Sequence, residues 1–233
     1  MAKWINKPPS EAFLKEPWMY QGASDGFLAP TGDIPAITED WGIDYEAEVA
    51  IITDAVPCAT RTKDAGQHIC LVMLCNDVSL RNLIPAERAK GFGFVQSKPA
   101  SAFSPVAVTP DELGDAWHDY RLSLPLLSCL NEELYGMPNA GEMAHGFDRL
   151  VAHAAKTRSL SAGTIIGGGT VANENPAKGT SCLVERRVLE ILEHGGPKTT
   201  FLKFGDKVRI EMLDREGHSI FGAIEQRVTK VSV

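Results

Sequence analysis

Residues 45–52 read Tyr-Glu-Ala-Glu-Val-Ala-Ile-Ile, and this stretch decides the fold class. Its polar and apolar residues alternate, which is typical of a β-strand with one buried face. Similar alternation occurs in residues 121–126, 207–212 and 219–224. Because 21 Gly and 14 Pro residues keep the apolar runs short, the pattern predicts a strand-rich structure rather than a helical bundle.

Two segments have the spacing of helices. Residues 64–74 contain an apolar run, and residues 141–160 place Met143, Phe147 and Leu150 on one helical face. No repeat or low-complexity linker divides the chain. We therefore predict one α+β, β-rich domain in which a mixed, mostly antiparallel sheet packs against one long helix. Residues 130–134 are predicted to turn between two paired strands.

Composition argues against several classes of protein. The 23 Lys and Arg residues against 30 Asp and Glu give a net charge of −7, and no basic cluster suited to nucleic acid is present. The N-terminus has no apolar signal segment, and no apolar run approaches the roughly 20 residues that cross a bilayer. We expect a cytoplasmic protein without nucleic-acid or membrane partners. Its five cysteines form no Cys-x-x-Cys pair and are expected to be reduced and to fill the core.

Three carboxylates are candidate metal ligands. Glu46 and Glu48 lie two residues apart on the predicted strand, so both face the same side, and Asp77 follows the apolar run that ends at Cys75. Carboxylates without Cys or His partners suit a hard cation such as Mg²⁺ or Mn²⁺ better than zinc. Two alternatives stay open: a solvent-facing acidic edge strand, and a turn or helix-capping role for Asp77.

A run of three glycines, Gly167–Gly169, raises the alternative of a phosphate-binding loop. It lacks the Gly-x-x-x-x-Gly-Lys-Ser/Thr pattern, and Asn175-Pro176 opposes a helix directly after it. A nucleotide site is therefore disfavoured. A nicotinamide site is disfavoured as well, because it needs a strand-glycine-helix signature that this chain lacks.

Four motifs follow one another along the chain: Asp44-Tyr45-Glu46-Ala47-Glu48-Val49-Ala50, Asn76-Asp77-Val78-Ser79-Leu80-Arg81, Gln96-Ser97-Lys98-Pro99 leading into Ser104-Pro105, and Gly163-Thr164-Ile165-Ile166-Gly167-Gly168-Gly169-Thr170-Val171. Together they resemble the catalytic domain of the fumarylacetoacetate hydrolase family, from about Trp18 to the C-terminus. The resemblance implies that family's mixed β-roll or sandwich and a homodimer. It also implies an N-terminal arm, residues 1–17, ahead of a catalytic domain, residues 18–233.

The resemblance further implies roles for single residues. Glu46, Glu48 and Asp77 would hold a divalent cation, Mg²⁺, Mn²⁺ or Ca²⁺. The other implied site residues contact the substrate or assist catalysis: Lys98 at the substrate's oxygens, Thr170 at its carboxylate, Arg81 and Tyr20 as further substrate contacts, and Glu185 as an acid that orients the base. Two alternatives stay open, a surface position for Lys98 and an ion pair with Asp77 for Arg81.

Some features of the family have no counterpart in this sequence. Members usually carry a His and an acidic residue ahead of the Tyr20 segment, but no His precedes Tyr20 here, and Glu11 and Glu16 fit the pattern poorly. The Gln expected three residues after Arg81 is Ile84. The histidines are interpreted as structural or loop residues: His68, His145 and His153 in the predicted helices, and His118, His194 and His218 in polar loops.

One function and two alternatives follow. We expect a metal-dependent hydrolase that cleaves a C–C bond in a 1,3-diketo acid of fumarylacetoacetate or acylpyruvate type, in aromatic or tyrosine catabolism. A cation that chelates such a substrate stabilises the enolate left by cleavage, and Lys98 adds positive charge there. The first alternative is a 2-oxo acid decarboxylase, hydratase or isomerase, which uses the same enolate. The second is a non-catalytic, metal-binding dimer without an N-terminal lid.

Overall fold

Two mostly antiparallel sheets share one apolar core in the computed structural model, which describes residues 11–232. The first sheet has the strand order β1 (Ile34–Ala36), β13 (Ile224–Lys230), β12 (Lys207–Met212), β9 (Leu126–Leu130) and β10 (Glu133–Gly136). The second has the order β11 (Ile165–Gly167), β3 (Ala47–Thr53), β4 (Ile69–Asn76) and β6 (Ala102–Phe103). Two small strand pairs complete the set: β2 (Ile43–Asp44) with β5 (Ser79–Leu80), and β7 (Trp117–His118) with β8 (Arg121–Leu122).

The helices are short. They are α1 (Glu11–Lys15), α2 (Thr62–Ala65), α3 (Ile84–Lys90), α4 (Phe147–Ala154) and α5 (Leu183–His194). Single 3₁₀ segments lie at Glu39–Trp41, Gly66–His68, Pro110–Ala116, Ala140–Glu142 and Pro176–Lys178. No helix within residues 11–232 is both long and apolar enough to cross a membrane.

The core lies between the two larger sheets. Val49 and Ile51 of β3 and Leu74 of β4 contribute from one sheet, and Val208 of β12 and Ile224 of β13 from the other, all of them almost fully buried. Alternate residues of each strand therefore meet across one interior, as in a β-sandwich. The predicted α+β, strand-rich fold is confirmed.

The helix predicted over residues 64–74 is wrong. Only Thr62–Ala65 is α-helical, and residues 69–76 form β4, which lies between β3 and β6. A central strand with both faces buried reads as an unbroken apolar run, and such a run cannot be distinguished from a buried helix by periodicity alone. The strand pairing that β4 makes with β3, from Ala47↔Asn76 to Thr53↔Ile69, decides the conformation.

The helix predicted over residues 141–160 is shorter than expected. It spans Phe147–Ala154, because Gly146 is its N-cap and the backbone of Met143 is not helical. The longest helix of the described residues is instead α5, in a region where the sequence pattern predicts no helix. Its N-cap residue, Cys182, makes no side-chain capping bond, so the sequence has no local start signal there.

The hairpin predicted around residues 130–134 is confirmed. Strands β9 and β10 pair at Leu130↔Glu133, and both turn residues have a positive φ, 50° at Asn131 and 72° at Glu132. Two positive φ values define a type I′ turn, whose twist matches that of the strands. The strand predicted from the alternation at residues 219–224 is wrong in its position, because β13 begins only at Ile224.

All five cysteines are free. Cys75 and Cys182 are buried as expected, but Cys58 and Cys70 are exposed, so the prediction that the cysteines fill the core is wrong for these two.

The predicted N-terminal arm is described only in part, since residues 1–10 lie outside the described residues. Residues 11–17 include α1, which Arg149 of α4 holds by donating from Nη2 to the carbonyl oxygens of Leu14 and Lys15.

Candidate metal centre

The acidic cluster forms where β3 begins and β4 ends. Antiparallel pairing sets Ala47 opposite Asn76, which brings the residues before and after them together. The backbone N–H of Asp77 donates to the carbonyl oxygen of Glu46 at 3.0 Å, and Asn76 Oδ1 accepts from the N–H of Glu46 at 3.1 Å. The two sequence motifs that seemed separate in the chain are thus one structural unit.

The structure brings the three predicted ligands into one group. One carboxylate oxygen each from Glu46, Glu48 and Asp77 lies within 4.8 Å of the others. Glu48 and Asp77 are buried, with 5% and 8% of their surface exposed, and β3 lies between two other strands. The alternative of a solvent-facing acidic edge strand is therefore wrong.

Lys98 lies inside this cluster. Its Nζ donates to Glu46 Oε2 at 2.7 Å, to Asp77 Oδ2 at 2.8 Å and to Ser79 Oγ at 2.7 Å. The residue is 5% exposed, so the alternative of a surface lysine is wrong. Although burial opposes the charged form, Glu46 and Asp77 raise the pKa of Lys98 above its ordinary value.

Arg81 bridges two carboxylates on the other side of the cluster. Its Nε donates to Asp44 Oδ2 at 2.8 Å and its Nη1 lies 2.7 Å from Glu46 Oε1. The alternative of an ion pair between Arg81 and Asp77 is therefore wrong, because Arg81 pairs with Asp44 and Glu46. The Nη2 atom is buried and has no hydrogen-bond partner among the described residues. This atom is the part of Arg81 that is left for the predicted substrate contact.

Tyr20 covers the cluster from the N-terminal side. Its hydroxyl donates to Asp77 Oδ2, and Lys98 Nζ lies 5.4 Å from the centre of its ring. Burial, followed by the charge of Asp77, raises the pKa of Tyr20, so the hydroxyl stays protonated. The structure thus brings this predicted substrate contact to the cluster, where it is 39% exposed.

The glycine run packs beneath Glu48. The N–H of Gly169 donates to Glu48 Oε2 at 3.1 Å, and a Cβ on Gly167 would lie 2.8 Å from the same oxygen. Only glycine fits at position 167 without displacing the carboxylate. Thr170 follows directly in the chain and is half-buried, and its contact with a substrate stays a prediction. The run supports a carboxylate here rather than a phosphate.

The charges of the centre fit a divalent cation. Burial, and after it the charges of Asp77 and Glu46, raises the pKa of Glu48 well above its ordinary value, whereas Lys98 and Arg81, against the effect of burial, lower the pKa of Glu46. The carboxylates of Asp44, Glu48 and Asp77 are buried and that of Glu46 is mostly buried, and the two cations Lys98 and Arg81 lie among them. With all four carboxylates ionised the group has an excess of two negative charges. This excess equals the charge of one Mg²⁺ or Mn²⁺, a cation that would favour the ionised form of Glu48, and oxygen ligands suit such ions.

Glu185 lies apart from the bonds of the cluster. It occupies the first turn of α5, is 2% exposed, and its Oε1 has no hydrogen-bond partner within residues 11–232. Burial raises its pKa to about 7. Its predicted role in orienting a base stays a prediction.

Sequence reasoning missed four residues that support the centre. Asp44 accepts from the N–H groups of Leu183 and Val184 at 2.8 and 3.0 Å and so caps α5. The others are Ser79, which binds Lys98, Ser101, which donates to Asp77 Oδ1 at 3.1 Å, and Glu87 of α3. Asp44 lies inside a quoted motif and could have been found there, whereas nothing in the sequence singles out Glu87.

Comparison with known proteins agrees with the fold and the cluster. The family model described as "Fumarylacetoacetate (FAA) hydrolase C-terminal" matches residues 1–229. The chain belongs to this family. Oxaloacetate tautomerase fahd2, mitochondrial, of Xenopus laevis is 25% identical over 159 residues, which cover 67% of this chain and 48% of that protein. The chain therefore spans about half the length of this curated relative.

Solved structures of the family have the same fold. Fumarylpyruvate hydrolase from Pseudomonas aeruginosa in complex with Mn²⁺ and pyruvate aligns with a TM-score of 0.70 at 14% identity, over 99% of this chain and 84% of that one. Fumarylacetoacetate hydrolase from Exiguobacterium antarcticum gives 0.69 at 20% identity, over 95% and 69%. The 5-carboxymethyl-2-hydroxymuconate delta-isomerase from Mycobacterium smegmatis gives 0.62 at 18% identity, over 93% and 74%. These family members are named as hydrolases, an isomerase and a tautomerase, so more than one reaction occurs in the family.

Proposed function

We propose that this chain is a metal-dependent hydrolase that cleaves a C–C bond in a 1,3-diketo acid of acylpyruvate or fumarylacetoacetate type. The observation that carries the proposal is the group of three carboxylates, Glu46 and the buried Glu48 and Asp77, with Lys98 hydrogen-bonded inside it. A Mn²⁺ or Mg²⁺ ion held by these carboxylates would act as a Lewis acid on the carbonyl oxygens of a 2-oxo acid.

The protein's own groups supply binding and charge stabilisation. The Nζ of Lys98 is a compact cation at the place where negative charge would develop on a substrate oxygen during cleavage. The buried Nη2 of Arg81 and the hydroxyl of Thr170 are donors that we assign to the substrate's carboxylate. An unpaired buried N–H gains a hydrogen bond when such an oxygen arrives, which favours binding.

The reaction balances with water as the second reactant. Water adds to the acyl carbonyl, the bond between that carbon and the methylene between the two carbonyl groups breaks, and the methylene carbon takes up a proton. The products are a carboxylic acid and an oxo acid, which is a 2-oxo acid from an acylpyruvate and a 3-oxo acid from fumarylacetoacetate.

A second function, tautomerisation or isomerisation of a 2-oxo acid, is favoured by the donors around Asp77. Within the described part of the chain, its side-chain hydrogen-bond partners are Tyr20, Lys98 and Ser101, and none of them is a histidine. Keto–enol exchange needs a proton carrier but no attacking water, and Tyr20 or Lys98 is placed to carry one. Tautomerase and isomerase members of the family make this the alternative to test beside hydrolysis.

The deciding experiment titrates metal-stripped protein with Mn²⁺ and then assays the same sample. We expect the wild type to bind Mn²⁺, and Asp77→Asn to bind it about 100-fold more weakly, since a charged oxygen ligand is lost. Asp111→Asn, an exposed residue in a 3₁₀ segment, is the matched control and should bind as the wild type does. No Mn²⁺ binding by the wild type would refute a metal enzyme.

Product analysis separates the two functions. Acetylpyruvate and fumarylacetoacetate report hydrolysis through loss of their ultraviolet absorbance, and oxaloacetate reports tautomerisation. Binding of Mn²⁺ without conversion of any of these would instead support the non-catalytic alternative. The predicted homodimer is tested on the same preparation by sedimentation, and a monomer at all concentrations would contradict it.

A further inference from the structure

An exposed apolar loop follows α3. Residues Gly91–Val95 read Gly-Phe-Gly-Phe-Val, and we call them the phenylalanine loop. The side chain of Phe92 is 97% exposed and that of Val95 is 81% exposed. The backbone φ is 77° at Gly91 and 102° at Gly93, values that residues with a side chain rarely adopt. Large apolar groups held in water at such a turn indicate a surface that receives a ligand.

The loop is anchored to the candidate metal centre at its C-terminal end. Glu87 accepts from the N–H groups of Val95, Gln96 and Ser97 at 2.8–3.1 Å, and the next residue is Lys98. This anchored end leads directly to Lys98 in the cluster, while Phe92 and Phe94 lie between it and Gly91, the residue that caps α3.

Phe94 connects the loop to the cover of the site. Its ring lies 5.2 Å from that of Tyr20 in an edge-to-face contact, and the Tyr20 hydroxyl bonds Asp77. One aromatic ring thus separates the phenylalanine loop from the acidic cluster. A ligand that reaches the cluster and extends outward past Tyr20 would pass Phe94, and Phe92 lies two residues away from Phe94 in the same loop.

The chemistry of this outer wall favours an apolar ligand. Within residues 11–232, cations lie over the rings of Tyr20, Phe201 and Phe204, but over neither Phe of the loop. The faces of aromatic rings are electron-rich and repel carboxylates. The two cations of the centre, Lys98 and Arg81, each already bind two carboxylates. Residues 91–95 contain no Lys or Arg, and the cations nearest to them in the sequence are Arg88 and Lys90 of α3. A second carboxylate at the outer end of a substrate would therefore have no counter-charge on the loop itself.

We propose that the phenylalanine loop is a specificity element that selects 2-oxo acids with an apolar outer end, such as acylpyruvates with an alkyl or aryl acyl group, over those with an outer carboxylate. The inference rests on the proposed function and narrows its substrate class. Phe92 and Phe94 contact the acyl group, and the glycines at 91 and 93 let the loop close over it.

The test measures binding rather than turnover. The probes are N-alkyl oxamates, stable mimics of 2-oxo acids, from methyl to hexyl, titrated calorimetrically into Mn²⁺-loaded protein. In the wild type we expect about two- to fourfold tighter binding per added methylene, the gain for burying such a group. A probe that ends in a carboxylate at the hexyl position should bind at least about tenfold more weakly than the hexyl probe.

Variants of the loop assign the effect. Phe92→Ala should fold, because that side chain lies in water, and alone or together with Phe94→Ala it should flatten the dependence of affinity on chain length. Leu134→Ala, a 58% exposed residue on β10, is the matched control and should keep the wild-type dependence.

The outcomes separate the two proposals. If the methyl probe binds but chain length has no effect, or if the loop variants keep the effect, the phenylalanine loop is not the specificity element and the proposed function stands. If no oxamate binds the Mn²⁺-loaded protein, both proposals are overturned. Preference for the carboxylate-ended probe would overturn the loop proposal alone.

Discussion

Arg81 illustrates how a single residue connects the metal centre with the rest of the protein. Its guanidinium group binds the candidate ligand Glu46 through one nitrogen and Asp44 through another, and Asp44 in turn caps α5. A planar, forked cation can bind two carboxylates in fixed directions, whereas a lysine ammonium cannot reproduce that geometry. Despite burial, Asp44 and Glu46 raise the pKa of Arg81, so the group is always charged.

We therefore predict that Arg81→Lys lowers both stability and metal affinity. One of the two buried carboxylates loses its partner, which should cost about 2–4 kcal/mol of unfolding free energy, measured by urea denaturation. Mn²⁺ affinity should fall several-fold because Glu46 is no longer held. Arg209→Lys is the matched control, since Arg209 also binds two carboxylates, Glu211 and Glu225, but is 44% exposed at its side chain. Its change should stay below about 1 kcal/mol; equal losses in the two variants would contradict the assignment.

At the scale of elements, two glutamates within helices fix the loops that follow those helices. Glu87 of α3 binds three consecutive backbone N–H groups, of residues 95–97, and the hydroxyl of Ser97. Glu190 of α5 does the same for Lys198 and Thr199. The pKa of each is about 2; hydrogen bonds from Gln96 and Ser97 lower that of Glu87, and those from Thr199 lower that of Glu190 against the effect of burial.

The prediction for Glu87 follows from this arrangement. Glu87→Gln keeps the shape but loses the charged acceptor, so the amides of residues 95–97 should exchange hydrogen at least about tenfold faster. Because Lys98 follows directly, Mn²⁺-dependent turnover should fall as well. Glu190→Gln is the control: its own loop should exchange faster, while Mn²⁺ binding and turnover stay unchanged. Unaltered exchange at residues 95–97 in Glu87→Gln would refute the role of this carboxylate.

Glu87 and Glu190 also make the stability of the fold depend on pH in the acid range. Their folded pKa, about 2, lies below the ordinary value of 4.5, so each contributes stability above pH 4.5 that is lost as the pH falls toward 2. We expect the wild type to lose more stability between pH 5 and pH 3 than Glu87→Gln does, as measured by urea unfolding at the two pH values. Parallel losses in the two proteins would contradict this assignment.

At the scale of the whole molecule, the core itself contains an ionisable group. Glu185, in the first turn of α5, is almost fully buried, and burial raises its pKa from 4.5 to about 7. A raised carboxyl pKa favours folding while the group is protonated, so this contribution is present below pH 4.5 and is lost as the pH rises through 7. The protein as a whole should therefore be destabilised by this residue at alkaline pH.

Glu185→Gln tests this pH dependence. At pH 5 the variant and the wild type should be similarly stable, because the wild-type carboxyl is largely protonated. At pH 8.5 the variant should be more stable by up to about 3 kcal/mol, the free energy that corresponds to the shift in pKa. Urea unfolding at both pH values measures the difference. A wild type that is the more stable protein at pH 8.5 would show that the ionised group has a partner.

The sequence by itself determined the strand-rich class, the family and the identity of the acidic cluster. These properties depend on local patterns: alternation along β3, a glutamate pair two residues apart, and a glycine run. At position 167 glycine is needed because the Glu48 carboxylate lies close to its backbone. The type I′ hairpin at Asn131 and Glu132 was also predictable, because a turn is a local structure.

Tertiary structure alone decided the rest. Strand pairing made residues 69–76 a central strand, although the apolar run is equally compatible with a helix. The cap of α5 is Asp44, 139 residues before Leu183, so no window of sequence around the helix contains its start signal. Lys98, Arg81 and Glu87 acquired their partners in the same way. Hydrogen bonds and ion pairs between distant segments depend on which surfaces meet, and that is decided when the two sheets pack around one core.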